Sequence, residues 1–329
     1  QPMVLISQAP RSGGTLLKRL FDNHNECHVY PVEFAMGINK DVDYSWPDNL
    51  LSMKKKEWLE NLIQPHHWRW LKEDFQYWIN DEERHPLIFL PLLCDKIFKE
   101  SISNIDIKNE RQIFDSFMTS FFNSWIDYQN LYSHIDKKSI IAFAPKMINK
   151  KGNIKKFLNV YPDGKLISIV RNPVSWYASS QKRWPKVYSD LESSLNNVWI
   201  DSVRNAIQLK KVFPENIIIV SFESLISKSN HVMKLLCDLI KIKFSKDMMV
   251  PTFNGRPIIS NSSFKRVKGI DLEVLNRFSE NITDEKVSLI NKITDNTYNS
   301  AKELFLLNEE SIMSTLKQID KANKKKVKR

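Results

Sequence analysis

Residues Met3 to Phe21, MVLISQAPRSGGTLLKRLF, combine the residue types that bind a phosphate or sulfate group. An apolar strand leads into a polar turn, and a helix follows. Such a turn presents backbone N–H groups and the positive end of the helix dipole to an anion. The chain has only 7 glycines in 329 residues, and two adjacent ones here let the backbone approach a bound group closely. The predicted anion site comprises Arg11, Ser12, Gly13, Gly14, Thr15 and Leu16.

The turn differs from the GxxxxGK[ST] loop of nucleoside-triphosphate-binding proteins. Gln8 stands in place of the first glycine, and Gly14 stands in place of the lysine. The positive charge comes instead from Arg11, on the strand side of the turn. No apolar run ends in an aspartate that would hold Mg²⁺, since KLISIV leads into Arg171 and IIIV leads into Ser221. We therefore expect no metal, unlike in kinases and GTPases.

A second segment, KLISIVRNPVSWYASSQKRW, repeats this design at residues 165–184. Arg171 follows directly after a predicted strand. Pro173 then begins a predicted helix, at a position where proline is well tolerated. Ser175, Ser179 and Arg183 follow at intervals of four and share one face of that helix. Two cations and two hydroxyls near a helix N-terminus suit a phosphate dianion, although a solvated polar face would show the same spacing.

Together the two segments resemble the sulfotransferases that use 3′-phosphoadenosine 5′-phosphosulfate (PAPS). In that family a PxSGTT-like loop holds the 5′-phosphosulfate, and an arginine with a serine eight residues later holds the 3′-phosphate. APRSGGTLL matches the loop, except that Gly14 replaces a threonine, and Arg171 with Ser179 match the second element. The loop arginine is typical of the branch that contains tyrosylprotein sulfotransferases and many bacterial sulfotransferases.

A third match lies at residues 251–269, PTFNGRPIISNSSFKRVKG. It is similar to a C-terminal segment of bacterial members, in which an SNSSF-like turn closes over the nucleotide. The preceding IIIVSFESLI is similar to a strand-plus-YEDL element of the family, with a phenylalanine in the tyrosine position. The resemblance covers residues 3–35 and 138–275. It implies PAPS as donor, adenosine 3′,5′-bisphosphate as product, and nucleotide contacts from Phe222, Ser262, Ser263 and Lys268, besides Arg183 and the loop.

The resemblance also implies a base that removes the proton of the acceptor. In the tyrosylprotein branch this base is a glutamate about twenty residues after the loop arginine, and Glu33 in YPVEF is the nearest match. A lysine after the next core strand contacts the sulfate there, and Lys146 in AFAPKM approximately matches it. The predicted catalytic residues are thus Glu33, Arg11 and Lys146. The cytosolic branch uses a histidine, which keeps four alternatives for the base open: His24, His28, His66 and His67.

The elements that must position these residues alternate along the chain. Strands alternating with helices predict an α/β fold, a three-layer parallel sheet with helices on both faces that is P-loop-like, with ligands beyond the strand carboxyl ends. The predicted strands are 3–7, 139–144, 165–170 and 216–221. The predicted helices include 14–24, 152–160, 173–183, 190–212 and 224–241.

We predict one domain over residues 1–320 and a basic tail at 321–329. Residues 40–135 hold six of the nine tryptophans, and their aromatic residues recur with helical spacing. This segment is predicted to be a mostly helical insertion that forms the acceptor side. Most of its aromatic side chains should be core, and some should line an acceptor pocket.

Composition narrows the function classes. No apolar run of about 20 residues and no signal-peptide pattern occur, so we expect a soluble protein without a membrane span, although an anchor ahead of Gln1 could have been removed. Three isolated cysteines favour a reducing compartment, hence the cytoplasm. The net charge of +11 fits anionic ligands, and no zinc-finger, RNP or helix-turn-helix motif supports nucleic acid as a partner.

The sequence therefore predicts in-line, metal-free transfer of a sulfuryl group from PAPS to a hydroxyl or amine. A P-loop kinase-like phosphotransferase and a non-catalytic module that binds PAPS or adenosine bisphosphate stay open as alternatives. The acceptor is not specified. A carbohydrate, a small alcohol and a lipid-linked glycan are the expected classes, and a protein tyrosine is also compatible.

Overall fold

The computed structural model describes most of the chain, in the ranges 1–36, 44–47, 49–62, 76–78, 83–126, 137–150, 152–260, 262, 265, 267–277 and 282–307. The predicted basic tail lies outside these ranges. So do parts of the predicted insertion, namely 40–43, 48, 63–75, 79–82 and 127–135.

A parallel sheet forms the centre of the fold. The described strands are β1 (Met3–Ile6), β2 (Cys27–Val29), β3 (Gln76–Trp78), β4 (Arg84–Pro86), β5 (Ser139–Phe143), β6 (Lys165–Val170), β7 (Ile217–Ser221), β8 (Thr252–Phe253) and β9 (Arg256–Pro257). Five of them lie side by side in the order β2-β5-β1-β6-β7, and every neighbouring pair in this sheet is parallel. Their apolar runs are buried almost throughout, as expected of a parallel sheet that is covered on both faces.

Helices cover both faces of the sheet. The described α-helices are α1 (Gly14–Phe21), α2 (Lys55–Leu62), α3 (Pro91–Ser103), α4 (Glu110–Phe122), α5 (Asn153–Val160), α6 (Pro173–Arg183), α7 (Leu191–Ser194), α8 (Asp201–Val212), α9 (Phe222–Ser227), α10 (Ser229–Ile240) and α11 (Asp284–Lys302). A π-helical stretch, Leu195–Ile200, joins α7 to α8.

Alternate residues of each strand enter two separate hydrophobic cores. Val4 and Ile6 of β1 pack in one core with α1, α9 and α10. Met3 and Leu5 pack in the other with α3 to α6, α8 and α11. This alternation follows from the two-residue period of a strand, and the predicted three-layer α/β fold is confirmed.

Three short elements differ from the sequence prediction. Strand β2 was not predicted, because three residues are too few to show an alternating pattern. The helix predicted at 224–241 is two helices, and Lys228 between them adopts a non-helical backbone conformation (φ −127°, ψ 32°). The described part of the insertion contains three helices and also the antiparallel hairpin β3–β4.

The aromatic residues of α4 behave as the helical spacing predicts. Phe114, Phe117 and Phe121 are fully buried, and Trp46 from an earlier part of the insertion stacks on Phe114 with ring centroids 4.6 Å apart. A capping box between Asn109 and Gln112 starts this helix, which satisfies backbone donors that have no partner inside the first turn. These side chains are therefore core, which confirms that part of the prediction.

The sheet order determines where ligands can bind. Strand β1 lies between β5 and β6, so the turns that follow β1 and β6 come together at the carboxyl edge of the sheet. Ligands of open α/β sheets bind at this kind of position. In both segments, the predicted phosphate-binding residues follow the strand and thus start at this edge.

Candidate functional site

The turn after β1 is packed closely against neighbouring side chains. Gly13 has φ +100°, and α1 begins at the next residue. A side chain at Gly13 would place its Cβ 2.7 Å from the Phe222 ring, and one at Gly14 would place it 2.1 Å from the amide nitrogen of Gln8 and 2.4 Å from the Phe143 ring. Real Cβ atoms do not approach that closely. The two glycines are thus required by the surrounding side chains, and at Gly13 also by the backbone conformation.

The turn after β6 fixes the second cation. The Asn172 side chain accepts hydrogen bonds from the amides of Val174 and Ser175 at 3.0 and 3.2 Å, so it caps α6. Arg171 Nε donates to the hydroxyl of Ser175 at 2.8 Å, and Nη1 donates to the carbonyl oxygen of Arg11 at 3.0 Å. The second of these bonds joins the two predicted anion-binding turns directly.

Arg171 is a buried cation. It is 3% exposed, and burial lowers its pKa to about 10, partly opposed by the negative charge of Glu223. It therefore carries a positive charge at neutral pH. Its Nη2 has no hydrogen-bond partner among the described residues. Because a buried charge without full compensation destabilises a protein, an anion bound here would stabilise this arrangement.

An open cavity joins the two turns. The residues that were predicted to bind the cofactor and that line this cavity are Arg11, Gly13, Gly14, Thr15, Leu16, Arg171, Ser179, Phe222 and Ser262. The lining also contains five apolar residues, namely Ile226, Pro251, Ile258, Ile259 and Val274. The cavity thus combines cations and backbone amides with apolar surface.

Four other predicted cofactor residues are placed differently. Ser12 is buried beneath the turn and is not among the residues that line the cavity. Arg183 is exposed at the end of α6, and Lys268 is exposed, with its backbone paired to Ile259. Ser263 lies outside the described residues. Their contacts with a nucleotide stay predictions.

Glu33 and Lys146 lie at the same edge of the sheet but not among the lining residues of the cavity. The amide after Glu33, that of Phe34, donates to the carbonyl of Phe143 at 2.6 Å, and the amide of Lys146 donates to the carbonyl of Gln8 at 3.1 Å. Glu33 is half-buried, and the Tyr44 hydroxyl donates to its Oε2. Burial and the carboxylate beside it raise the pKa of Tyr44, so the phenol stays protonated and donates.

The segment before Glu33 is fastened to α1 by Lys18, which the sequence analysis did not single out. Lys18 is 2% exposed, and its Nζ donates to the carbonyls of Pro31 and Val32 at 2.6 and 3.0 Å. Burial lowers its pKa well below the ordinary value. Two adjacent cations, Lys18 and Arg19, within a short helix that is mostly apolar were the available signal. Lys18 therefore ties the segment before Glu33 to the helix that follows the turn after β1.

The histidine alternatives have other environments. The His24 ring contacts the carbonyl of Lys243 at 2.6 Å and accepts from the amide of Glu26 at 3.1 Å, before β2 and thus at the amino edge of the sheet. His28 stacks on Phe122 at 4.5 Å, and burial lowers its pKa to about 4. His66 and His67 lie outside the described residues.

Comparison with known proteins assigns the chain to a family. A sequence profile described as the Sulfotransferase family matches residues 2–246, well over half of the chain. The chain belongs to the sulfotransferase family. Among curated proteins, none matches this sulfotransferase in sequence.

Solved structures to which the chain is similar include sulfotransferases. The sulfotransferase domain from the curacin biosynthetic pathway has 17% identity and a TM-score of 0.47, covering 88% of this chain and 96% of its own. That from the Synechococcus PCC 7002 olefin synthase has 16% identity and a TM-score of 0.48, covering 89% and 94%. A sulfotransferase from Alicyclobacillus acidocaldarius has 12% identity and a TM-score of 0.47, covering 94% and 98%. These are distant similarities, and the family assignment follows from the sequence match.

Two features are absent from the residues that the structure describes. No helix in that part of the chain is long and apolar enough to cross a membrane. Within the same ranges, no group of three or more His, Cys, Asp or Glu side chains could hold a metal ion.

Proposed function

We propose that this sulfotransferase moves the sulfuryl group of PAPS to a hydroxyl or amine of an acceptor. The observation that carries the proposal is Arg171. It is a buried cation with one donor nitrogen lacking a partner among the described residues, in a cavity shared with a glycine turn at a helix N-terminus. Two separate anion-binding positions in one cavity fit a ligand with a phosphate at each end of an adenosine.

The cavity suggests an orientation for such a ligand. Arg171, which precedes α6, and Ser179, in the second turn of α6, would bind the 3′-phosphate, since both line the cavity. The backbone amides after Arg11 would bind the 5′-phosphosulfate, where the helix dipole favours negative charge. The adenine would lie against the apolar lining residues Ile226 and Ile258, with Phe222 between the two phosphate positions.

Charge stabilisation and positioning would account for most of the catalysis. PAPS supplies an activated sulfuryl group with an adenosine bisphosphate leaving group. Arg11 and the turn amides would hold the oxygen that becomes negative as the sulfur–oxygen bond breaks. Glu33 would take the proton of the acceptor, and Lys146 would contact the sulfate, because both lie at the carboxyl edge of β5.

We propose residues 1–320 as one catalytic domain in which the insertion at 40–135 forms the acceptor side. Tyr44, from this insertion, contacts Glu33, so the insertion reaches the proposed base. A carbohydrate, a small alcohol or a lipid-linked glycan would supply the acceptor hydroxyl. Three buried, unbridged cysteines fit a reducing compartment such as the cytoplasm.

Ligand-induced stabilisation tests the donor. Adenosine 3′,5′-bisphosphate at a concentration about 100 times its Kd should stabilise the fold by about 2.7 kcal/mol, which raises the Tm measurably. ATP with Mg²⁺ is the control, because it lacks the 3′-phosphate that Arg171 would bind. A shift with ATP and Mg²⁺ but none with the bisphosphate would overturn the proposal and favour a phosphotransferase.

Transfer itself is tested with labelled PAPS and a panel of acceptors from the three classes. Labelled product from any of them, formed without ATP, supports the enzyme. Tight binding of the bisphosphate with no transfer to any acceptor, and no slow hydrolysis of PAPS, would favour a non-catalytic binding module.

A further inference from the structure

The side chain of Gln8, at the end of β1, is a buried amide in the wall of the cavity. It is 1% exposed, and neither its nitrogen nor its oxygen has a hydrogen-bond partner among the described residues. Burying an unsatisfied amide destabilises a fold, so most buried amides are paired. Its backbone is fixed, since the Gln8 carbonyl accepts from the amide of Lys146 at 3.1 Å. The amide is therefore held next to the anion-binding turn with its hydrogen-bonding capacity unused.

The Gln8 amide also occupies the space that a side chain at residue 14 would need. Its nitrogen lies 2.1 Å from the position of a Cβ on Gly14. In the PxSGTT-like loops that this turn resembles, a threonine stands at that position, and its hydroxyl lies near the 5′-phosphate. This chain has a glycine there and a long amide three residues before Arg11. The Gln8 amide nitrogen thus lies close to the position of the Cβ that would carry the threonine hydroxyl in those loops.

We propose that the Gln8 amide donates a hydrogen bond to the anionic group held by the turn after β1. On the proposed function, on which this inference rests, that group is the 5′-phosphosulfate of PAPS. An amide nitrogen carries two donors, and a hydrogen bond to an anion is stronger than one between neutral groups. Gly14 and Gln8 form a matched pair: the glycine makes room, and the glutamine restores the donor.

Gln8→Met tests this role, because methionine has a similar length and shape but no donor. We expect Kd for adenosine 3′,5′-bisphosphate, measured by calorimetry, to rise at least about tenfold, the size expected for a lost bond to a charged group. Kd for adenosine 3′-phosphate, which has no 5′ anion, should stay within about twofold. The Tm of the ligand-free variant should be equal to or above that of the wild type, since an unsatisfied buried amide is removed. Gln208→Met, at an exposed glutamine of α8, is the matched control and should change none of these values.

A second variant distinguishes loss of the hydrogen-bond donor from a packing defect caused by Gln8→Met. Gln8→Glu keeps the size of the side chain and places a carboxylate beside the anion. It should therefore raise Kd for the bisphosphate more than Gln8→Met does, and leave Kd for adenosine 3′-phosphate nearly unchanged. An unchanged Kd for the bisphosphate in both variants would overturn this inference. An equal loss for both ligands would overturn it too, because Gln8 would then only shape the turn. If the wild type binds neither ligand, the proposed function fails instead.

Discussion

The cavity between the turns after β1 and β6, and the segment around Glu33, lie at the same edge of the sheet but are held by different contacts. In the cavity, neighbours in sequence do most of the positioning: Asn172 caps α6, and Gly13 starts α1. Glu33 is positioned from a distance, by Tyr44 of the insertion and by Lys18 through the carbonyls before it. The proposed anion-binding side is thus encoded mostly locally, and the proposed proton-transfer side depends on tertiary structure. This difference predicts that binding and turnover can be damaged separately.

Glu33→Gln should show the largest separation. If Glu33 takes the acceptor proton, the amide cannot replace it, and turnover should fall by about 10²–10⁴-fold, the usual contribution of a positioned acid–base group. Binding of adenosine 3′,5′-bisphosphate should be almost intact, because Glu33 does not line the cavity. The measurements are kcat with labelled PAPS and Kd by calorimetry. A kcat near that of the wild type would exclude Glu33 as the base and turn attention to other residues at that edge.

Tyr44→Phe is the matched control for that experiment, since it removes the hydroxyl that donates to Glu33 but keeps the carboxylate. It should lower kcat much less than Glu33→Gln does. A loss as large as that of Glu33→Gln would mean that the phenol itself takes part in the reaction.

The sequence predicted the locally encoded side well. The sequence shows the strand–turn–helix order around Gly13 and around Arg171, and the four-residue spacing of Arg171 and Ser175. Both can be read directly from the sequence because the residues concerned are at most a few positions apart. The spacing did not reveal that Ser175 accepts from Arg171 itself. Nor did it show that the Arg11 carbonyl binds the same guanidinium, which required the parallel pairing of β1 with β6.

The tertiary side was harder to predict. Lys18 is a buried lysine whose hydrogen-bond partners lie more than ten residues away. The periodicity of the sequence does not indicate which carbonyl groups such a lysine will bind. On the locally encoded side, the proposed role of Gln8 was also missed, because it depends on the approach of its amide to Gly14 across the turn. Strand β2 is too short for its pattern to be seen, yet it forms the edge of the sheet beside β5.

Arg171→Ala should weaken nucleotide binding without affecting the residues on the acceptor side. Loss of a charge-assisted contact should weaken binding of adenosine 3′,5′-bisphosphate by about 1.5–3 kcal/mol, or roughly 10- to 150-fold in Kd. Binding of adenosine 5′-phosphate should weaken much less, because this ligand has no 3′-phosphate. Since Arg171 Nη1 also bonds to the carbonyl of Arg11, the Tm of the ligand-free variant must be measured alongside. Equal losses for both nucleotides would show that Arg171 only holds the two turns together.

The smallest effect should come from Arg183→Ala, which tests how far the locally encoded side extends. The four-residue spacing from Arg171 places Arg183 on the phosphate-binding face of α6, but the side chain is exposed and is not among the residues that line the cavity. An exposed ionic contact contributes little, because water and salt screen it. We expect Kd for the bisphosphate to rise at most about fivefold, and less at high salt. Lys182→Ala, at the neighbouring exposed cation, is the control for general charge. A loss at Arg183 as large as that at Arg171 would show that the end of α6 closes onto the nucleotide when it binds, and the cavity would then be larger than the two turns alone define.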